Sequence, residues 1–599
     1  MDFIPYLFEN AYKASKYFNE KLPFVIKFDD HLACFRSPIT AMLIKNHKKD
    51  NLSFDTIIQE ICLHVPLPYR DQIKISCVKN MMIITMKERL IESMLNMMDF
   101  NNLIKKTSTP KKICVDFSSP NIAKDLHVGH LRSTIIGDVL CRLFELHGHN
   151  VDRINHLGDY GIHIGMIIHN LSLLKKTENI TKYFNVKELT NIYKLSKQKY
   201  DQKQNNEDGT KNIEYDPTFK LQSHTKTIII QQNNPFLHDD IDEYVETIDI
   251  YKNIRETSIK AIDSLYKRLN IEIKEVGESS YCDAIPDIID NLIKDGHAIK
   301  EDGRIIIKTL DNVPLTILKS DGGYTYDTTD VAALKHRVSS YDHIYYVVDG
   351  GGAQANHFIR LFDFGKRIGW ITKEHIVKHI KFGFVLGDDG TKLKSRSGDT
   401  ISLKELLNES FNTCLKFINE NNTRADPKTK EGLEIVNKVS IGCVKYSDLR
   451  LDRESNYKFS FDKLISINGD TASYIMYSLA RSNSICTKSY EYIKIKNNDI
   501  KSIPLVIENE DLLLATRIVL FDKAMKDTMR MLKTHFLTGY LYKLCQTFNT
   551  WVTKNRCLHF NSKGDFVSAN YSKIKLAYLS HKIIEYCLMI LGVEIVEKM

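Results

Sequence analysis

Between Lys111 and Asn150 the chain reads KKICVDFSSPNIAKDLHVGHLRSTIIGDVLCRLFELHGHN, and this segment limits the fold more than any other. Ile113 to Phe117 form a short, mostly apolar run, enough for one strand. Ser118, Ser119 and Pro120 break it, and a helix is expected from near His127 to about Leu146, with Gly148 as its stop. Strand and helix patterns then alternate to about Leu403, which predicts a parallel sheet with crossover helices.

The remainder divides around that core. A chain of 599 residues is too long for one hydrophobic core and calls for several domains. Residues 1–111 mix helical and strand patterns and carry a turn-like LHVPLP break at Pro66 and Pro68. Residues 112–403 are the alternating core. Within it, about 174–242 turns polar (KQKYDQKQNNEDGTKN, IIQQNNPFLHDD), and we expect a flexible surface insertion there. Residues 404–455 read as a connecting helical segment. Residues 456–599 show long 3.6-period stretches such as TASYIMYSLARSNSIC, which predict an all-α bundle. This last region holds 20 Lys and Arg against 13 Asp and Glu, so it carries most of the net charge of +8. A basic surface on one domain is the footprint of a polyanion partner, although a solvated helical face has the same composition.

Other classes are disfavoured. No stretch of about 18 apolar residues is present, so no membrane span is expected. The first twenty residues include Asp2, Glu9 and Glu20 and read as a helix, not a signal or transit peptide. Twelve scattered cysteines without a C-x-x-C pair argue against zinc and suit reduced thiols in the cytoplasm. The absence of G-x-x-x-x-G-K-[ST] excludes a P-loop nucleotide site.

The chemistry centres on HVGH. His127 and His130 are three residues apart and face one side of a first helical turn, with Gly129 between them leaving room for a ligand. Free N–H groups at a helix start, joined by two imidazoles, suit phosphates. H-x-G-H alone is short; its place just after a strand–loop–helix junction gives it weight. Lys124 lies three residues earlier in the same loop, and Lys392, Lys394 and Arg396 sit in a glycine-flanked, cation-rich turn, LGDDGTKLKSRSGD. Further on, Tyr326 and Asp330 lie four apart and share a helical face if a helix has begun there.

HVGH resembles the HIGH signature of class I aminoacyl-tRNA synthetases. The longer string DFSSPNIAKDLHVGHLRSTIIGD is similar to the arginyl members specifically. The likeness continues through INHLGDYG, GGYTYDTTDVAALKHR, KSRSGDTISL, FSFDKLISINGDTASYIMYSLAR and the terminal VEKM, and so covers Lys112 to Met599 apart from the insertion. It implies a Rossmann-like catalytic core, a mixed α/β N-terminal domain touching the tRNA elbow, and a helical anticodon-binding domain at 456–599. The implied reaction is ATP-dependent activation of L-arginine as an adenylate and its transfer to tRNA(Arg). Mg²⁺ is implied with ATP, zinc is not, and a monomeric cytoplasmic enzyme is the expectation.

The resemblance also distributes roles. His127, Gly129 and His130 correspond to the ATP-phosphate site. Lys392, Lys394 and Arg396 correspond to the KMSKS loop, with Arg396 where its second lysine usually stands, and Lys124 is placed to compensate. Tyr326, Asp330 and Glu278 correspond to guanidinium acceptors, in keeping with a planar five-donor fork that wants bidentate carboxylates. Ser119 and Asn121 correspond to positions holding the arginine amino and carboxylate groups. Gln354 matches another substrate position, although VVDGGGAQANHF is longer there than the family's usual spacing. Tyr477, Arg481 and Met599 correspond to anticodon contacts. Arginyl enzymes also need tRNA bound before they activate the amino acid. Other class I synthetases, small nucleotidylyltransferases and a non-catalytic tRNA-binding paralogue are the competing readings. Among the first, which include the glutaminyl and cysteinyl enzymes, the cysteinyl one binds its substrate through zinc and no ligand cluster of the right spacing appears here; the second are short chains that lack the basic helical C-terminal domain; the third would be expected to lose the histidines.

Overall fold

The alternation that begins at Lys112 becomes a five-stranded parallel sheet in the computed structural model of the chain. Its strands are Lys112–Phe117, Asn150–Asn155, Lys274–Glu275, His343–Val347 and Ile376–His379. Numbered along the chain, they lie side by side as 3-2-1-4-5. The strand order therefore reverses between Lys112–Phe117 and His343–Val347, and crevices at such a reversal are where open α/β sheets bind ligands. The structure describes all residues except 1–2, 23, 30–33, 47–52, 100–102, 179–183, 203–211, 213–215, 349, 353, 388, 392, 394–400, 421–425, 462, 467, 495–499, 501 and 597–599.

The first strand is buried along almost its whole length, as a strand covered on both faces must be. Cys114 and Asp116 point to the face covered by the Tyr326–Ser340 and Ala355–Arg367 helices. Phe117 points the other way, against Gly137 of the Val128–Leu146 helix. The main core on the first face joins Cys114, Ile154, Ile344 and Tyr346 to Leu334, Val338, Phe358 and Leu361. A short antiparallel sheet (Ile299–Glu301, Arg304–Ile307, Leu315–Leu318) leads into the Tyr326–Ser340 helix.

The expected flexible insertion is corrected by the structure over its described residues. Val186–Asp201 and Pro217–Gln232 are helices packed beside Ile162–Glu178, and Leu171, Leu189, Ile192, Ile230, Ile250 and Ile254 share one core. Composition misleads here because the apolar partners lie on neighbouring helices and part of the seam is made of small residues. A Cβ on Gly165 would stand 2.2 Å from the Ser223 carbonyl oxygen and 2.2 Å from Thr227 Oγ1, so the two helices meet backbone to backbone. The buried hydroxyls of Ser223 and Thr227 are satisfied by the carbonyls of Phe219 and Ser223, one turn back. The polar run KQNNEDGT lies outside the described residues.

The chain forms two compact units, and their borders differ from those read in the sequence. One unit comprises residues 106–416 and 451–464. The other comprises residues 1–105, 417–450 and 465–599. The connecting segment is thus split between them. Its Lys430–Leu449 helix packs on Ala472–Ile493, whereas Tyr457–Lys458 pairs in parallel with Val385–Leu386 of the α/β unit. The N-terminal region is mixed α/β, with an antiparallel sheet (Lys27–Asp29, Cys34–Ser37, Met81–Met86, Ile73–Val78), but it shares its unit with the helices. Glu92 accepts the Ile507 N–H at 2.8 Å, and the buried Lys575 ammonium reaches Asn96 Oδ1 at 3.1 Å. The helical region is also not purely α, because Leu558–Phe560 and Phe566–Ala569 form a short hairpin.

Candidate active site

The loop that leaves the first strand is held in an unusual backbone conformation. Ser118 and Ser119 have φ of 68° and 46°, in the left-handed region that costs a non-glycine residue about 1–3 kcal/mol. Neighbours impose it. The Ser118 N–H donates to Ser133 Oγ (2.7 Å), and Ser118 Oγ accepts from Thr134 (2.8 Å) and Tyr266 (2.7 Å). The Ser119 N–H donates to Asn155 Oδ1 (3.0 Å), and its hydroxyl to Asp116 Oδ1 (2.7 Å). Asp116 is in turn fixed by a buried ion pair with Arg337 at 2.7 Å. The HLGDYG loop braces the far side: Ile122 N–H donates to Gly158 O (3.1 Å) and Gly158 N–H to Pro120 O (3.0 Å). Gly158 leaves room for the Asn121 side chain, whose Oδ1 would lie 1.9 Å from a Cβ there. Asp159, wholly buried, accepts from Ser279 and Arg255 and so anchors the turn carrying Glu278.

His127 caps the Val128–Leu146 helix and His130 completes a reciprocal capping box. His127 Nδ1 accepts the Gly129 N–H and His130 Nδ1 accepts the His127 N–H, both at 3.1 Å. An imidazole whose Nδ1 accepts carries its proton on Nε2, so each ring keeps an Nε2–H donor. The rings lie 4.0 Å apart, tilted by 32°. Burial, with the charges of His127 and Lys124 nearby, pushes His130 down to about 3. It is therefore neutral at physiological pH and acts as a hydrogen-bond donor, not as a cation.

Both histidines line a cleft of about 480 Å³ at the sheet's reversal point. Ser119, Asn121, Gly129, Glu278, Tyr326, Asp330 and Gln354 line the same cleft. The Tyr326–Ser340 helix begins at Tyr326, so Asp330 stands one turn further on. Burial raises Glu278 well above the usual carboxylate range, reinforced by Asp330 and Asp159. Gln354 is the N-terminal cap residue of the Ala355–Arg367 helix. Lys124 is not in the lining: its ammonium sits 4.0 Å from the centre of the Tyr193 ring. Lys392, Lys394 and Arg396 fall outside the described residues, as does Met599, while Leu393 between the first two lines the cleft. In the other unit Tyr477 is 47% exposed. Arg481 is turned to the neighbouring His535–Lys554 helix and donates to Asn549 O (3.2 Å) and Thr553 Oγ1 (3.2 Å).

Three residues escaped the sequence reading. His357 bonds Asp330 Oδ2 through Nε2 at 2.7 Å, and its Nδ1 is 3.2 Å from Asp327 Oδ1. His156 stands 4.0 Å from the other Asp330 oxygen. Arg132 is fully buried; its guanidinium donates to Gly383 O (2.7 Å) and Ser455 O (3.1 Å) and faces Tyr457, which fastens the Phe382–Val385 wall of the cleft. The available signals were the NHF and INHLG strings for the histidines, and an arginine among apolar neighbours soon after HVGH.

Burial pulls His357 down, but its bonds to Asp327 and Asp330 outweigh this and lift it to about 9. A folded-state value above the ordinary 6.5 means that the pairing stabilises the chain fully below 6.5 and stops doing so as pH rises through about 9. The ligand-free chain should thus lose thermal stability across that window. His357→Gln should lack that part of the slope. Parallel melting curves against pH for the two proteins check this, and identical slopes would contradict it.

A Rossmann order with a strand–loop–HxGH helix at its reversal point, joined to a helical domain, defines a class I aminoacyl-tRNA synthetase. Residues 92–461 match the family described as "tRNA synthetases class I (R), catalytic domain", and residues 475–599 match "DALR anticodon binding domain". The chain belongs to the arginine branch of that class, the arginyl-tRNA synthetases. It is 36% identical over 516 residues to the "Probable arginine--tRNA ligase, cytoplasmic" of Drosophila melanogaster, covering 83% of this chain and 73% of the relative. It is 35% identical over 498 residues to the arginine–tRNA ligase of Acanthamoeba polyphaga mimivirus, covering 82% and 76%. The arginyl-tRNA synthetase of Plasmodium falciparum superposes with a TM-score of 0.77 at 26% identity, over 100% of this chain and 99% of that one. No helix among the described residues is long and apolar enough to cross a membrane.

Proposed function

We propose that the cleft beside HVGH is where L-arginine is activated by ATP and passed to tRNA(Arg), the reaction of the arginine–tRNA ligases. The arginine carboxylate attacks the α-phosphorus of ATP, a new P–O bond forms, and pyrophosphate leaves. A ribose hydroxyl at the tRNA 3′ end then attacks the carbonyl of the adenylate, loses its proton, and AMP leaves. Both steps depend on holding reactants in line and on meeting the charge that develops on phosphate oxygens. The Nε2–H groups of His127 and His130 donate to those oxygens from a helix N-terminus, with Gly129 leaving space for the nucleotide. Lys392, Lys394 and Arg396 bring cations from the KMSKS-like loop, and Lys124 from the loop before His127. Mg²⁺ carried on the ATP phosphates supplies further charge neutralisation. Asp330, Tyr326 and Glu278 receive the guanidinium, Ser119 and Asn121 hold the amino and carboxylate end, and Gln354 closes that side.

The observation that carries this reading is one cleft lined by two chemically opposite sets of groups. Glu278, Asp330 and the Tyr326 phenol line it, and so do the paired imidazoles of His127 and His130 at a helix start. A cationic amino acid and a polyanionic nucleotide are complementary to those two sets. Purified chain given labelled arginine, ATP–Mg²⁺ and tRNA should form acid-precipitable arginyl-tRNA, and no charging under those conditions would refute the reading.

The helical part is read as the anticodon-binding domain, residues 1–111 as the elbow contact, and the whole as a monomeric cytoplasmic enzyme. Tyr477 is the exposed reader on the Ala472–Ile493 helix, available to stack on an unpaired base. Arg481, held between helices, shapes the surface beside it, and Met599 adds the terminal contact. Tyr477→Ala should raise the KM for tRNA by about tenfold or more, on the scale of one lost base stack. The KM values for arginine and ATP should stay unchanged at saturating tRNA. Steady-state charging kinetics decide, and an unaltered tRNA KM would return Tyr477 to an ordinary surface role.

A further inference from the structure

The polar insertion is built into the substrate site, not merely attached to its surface. Its two described helices each grip one of the loops that carry the proposed machinery. The Val186–Asp201 helix takes the loop before HVGH. Thr190 Oγ1 accepts the Asp125 N–H at 3.2 Å, and Tyr193 lays its ring 4.0 Å from the Lys124 ammonium. Beside them, Ala123 is held with φ at 60°, a conformation that costs a residue with a Cβ energy and needs outside support. Ser258 Oγ supplies part of it, accepting the Ala123 N–H at 2.9 Å.

The Pro217–Gln232 helix takes the turn before Tyr326. The side-chain amide of Gln231, buried, is spent on three groups of the α/β unit. Its Oε1 accepts the Tyr160 hydroxyl (2.7 Å) and the Tyr324 N–H (3.3 Å), and its Nε2 donates to Gly322 O (3.1 Å). Tyr324 is followed by Thr325, which caps the helix carrying Tyr326 and Asp330. Tyr160 closes the HLGDYG loop whose Gly158 meets Asn121. One amide thus links the turn before Tyr326 and Asp330 to the loop beside Asn121.

We propose that the insertion is a two-armed brace, with Gln231 a positioning residue for the arginine subsite and Tyr193 a positioning residue for Lys124. The proposal rests on the substrate assignment above. It makes a prediction that a merely structural insertion does not: the arms separate kinetically. Displacing a substrate-holding element by about 1 Å costs up to about a hundredfold, so losing one arm should be visible without loss of fold. Gln231→Met keeps the volume and removes the amide. It should raise the KM for arginine about tenfold and leave the KM for ATP within about twofold. Gln231→Glu retains an acceptor for Tyr160 and Tyr324 and should recover most of the loss. Tyr193→Leu should lower the kcat of tRNA-dependent pyrophosphate exchange about fivefold while the KM for arginine moves by less than about twofold.

The experiment is exchange kinetics on the full chain with both substrates varied, with a melting temperature for each variant and Asp330→Asn in parallel. The expected result is opposite KM and kcat splits for the two arms at near-wild-type melting temperatures. Unchanged kinetics in both Gln231→Met and Tyr193→Leu, or parallel changes in all constants together with a lowered melting temperature, would overturn the brace. If Asp330→Asn raises the arginine KM while Gln231→Met does not, the brace alone fails. If Asp330→Asn has no effect on that KM, the arginine-subsite assignment fails, and the brace with it.

Discussion

Replacing Asp330 by Asn is expected to raise the KM for arginine by about 10²–10³-fold while the KM for ATP moves only slightly, because removing one partner of a buried charge pair costs about 3–5 kcal/mol. The carboxylate stands one turn into the Tyr326–Ser340 helix and lines the cleft. Glu278, raised above the usual carboxylate range by burial and by Asp330, lines the same cleft. The amide keeps size and shape but not charge, and one of its two terminal atoms donates where an acceptor is needed. The same substitution would deprive His357 of a charged partner at 2.7 Å, so the alkaline loss of stability described above should shrink in this variant. Charging kinetics with arginine and ATP varied separately measure the first effect. Equal changes in both KM values would make Asp330 a structural acid.

The second large effect is expected at the HVGH histidines. His130→Ala should lower the rate of adenylate formation by about 10²–10³-fold, the scale for one lost donor aimed at developing oxyanion charge. The ring is neutral, so the loss is of a hydrogen bond and not of a cation. Raising pH from neutral should therefore leave this contribution intact. His127→Ala should show a similar loss, with about 1 kcal/mol of stability removed as well because His127 is the helix cap. Single-turnover adenylate formation, paired with melting curves, distinguishes the two contributions. Near-normal rates in either variant would remove that residue from the mechanism.

What could be read in advance was local. The strand ending at Phe117, the break at Ser118–Pro120 and the helix opening at His127 follow from hydrophobic run, turn residues and capping, all within about thirty residues. Tyr326 and Asp330 were placed on one face by spacing alone, and the helix does begin at Tyr326. What escaped is non-local. His357 acquires its role from Asp327 and Asp330, 27 residues away from the latter along the chain. The aromatic partner of Lys124, Tyr193, comes from the insertion, about seventy residues further along the chain. The polar composition of the insertion suggests a flexible surface segment, yet Leu189, Ile192 and Ile230 of its helices find apolar partners on Ile162–Glu178 and Ile241–Arg268, and part of the seam is the close approach of Gly165 to Ser223 and Thr227. The unit border near residue 456 was hidden for a related reason. It depends on a pairing of only Val385–Leu386 with Tyr457–Lys458 and on the buried reach of Arg132 to Ser455. A two-residue strand has no pattern to detect.

Pyrophosphate exchange tests the central assignment most directly. Full-length chain is incubated with ATP, Mg²⁺ and labelled pyrophosphate, with each proteinogenic amino acid in turn, in the presence and absence of tRNA(Arg). Label is expected to enter ATP with arginine alone, and only when the tRNA is present. Exchange supported by a different amino acid, or none with arginine and tRNA together, would contradict the assignment of this cleft to arginine activation.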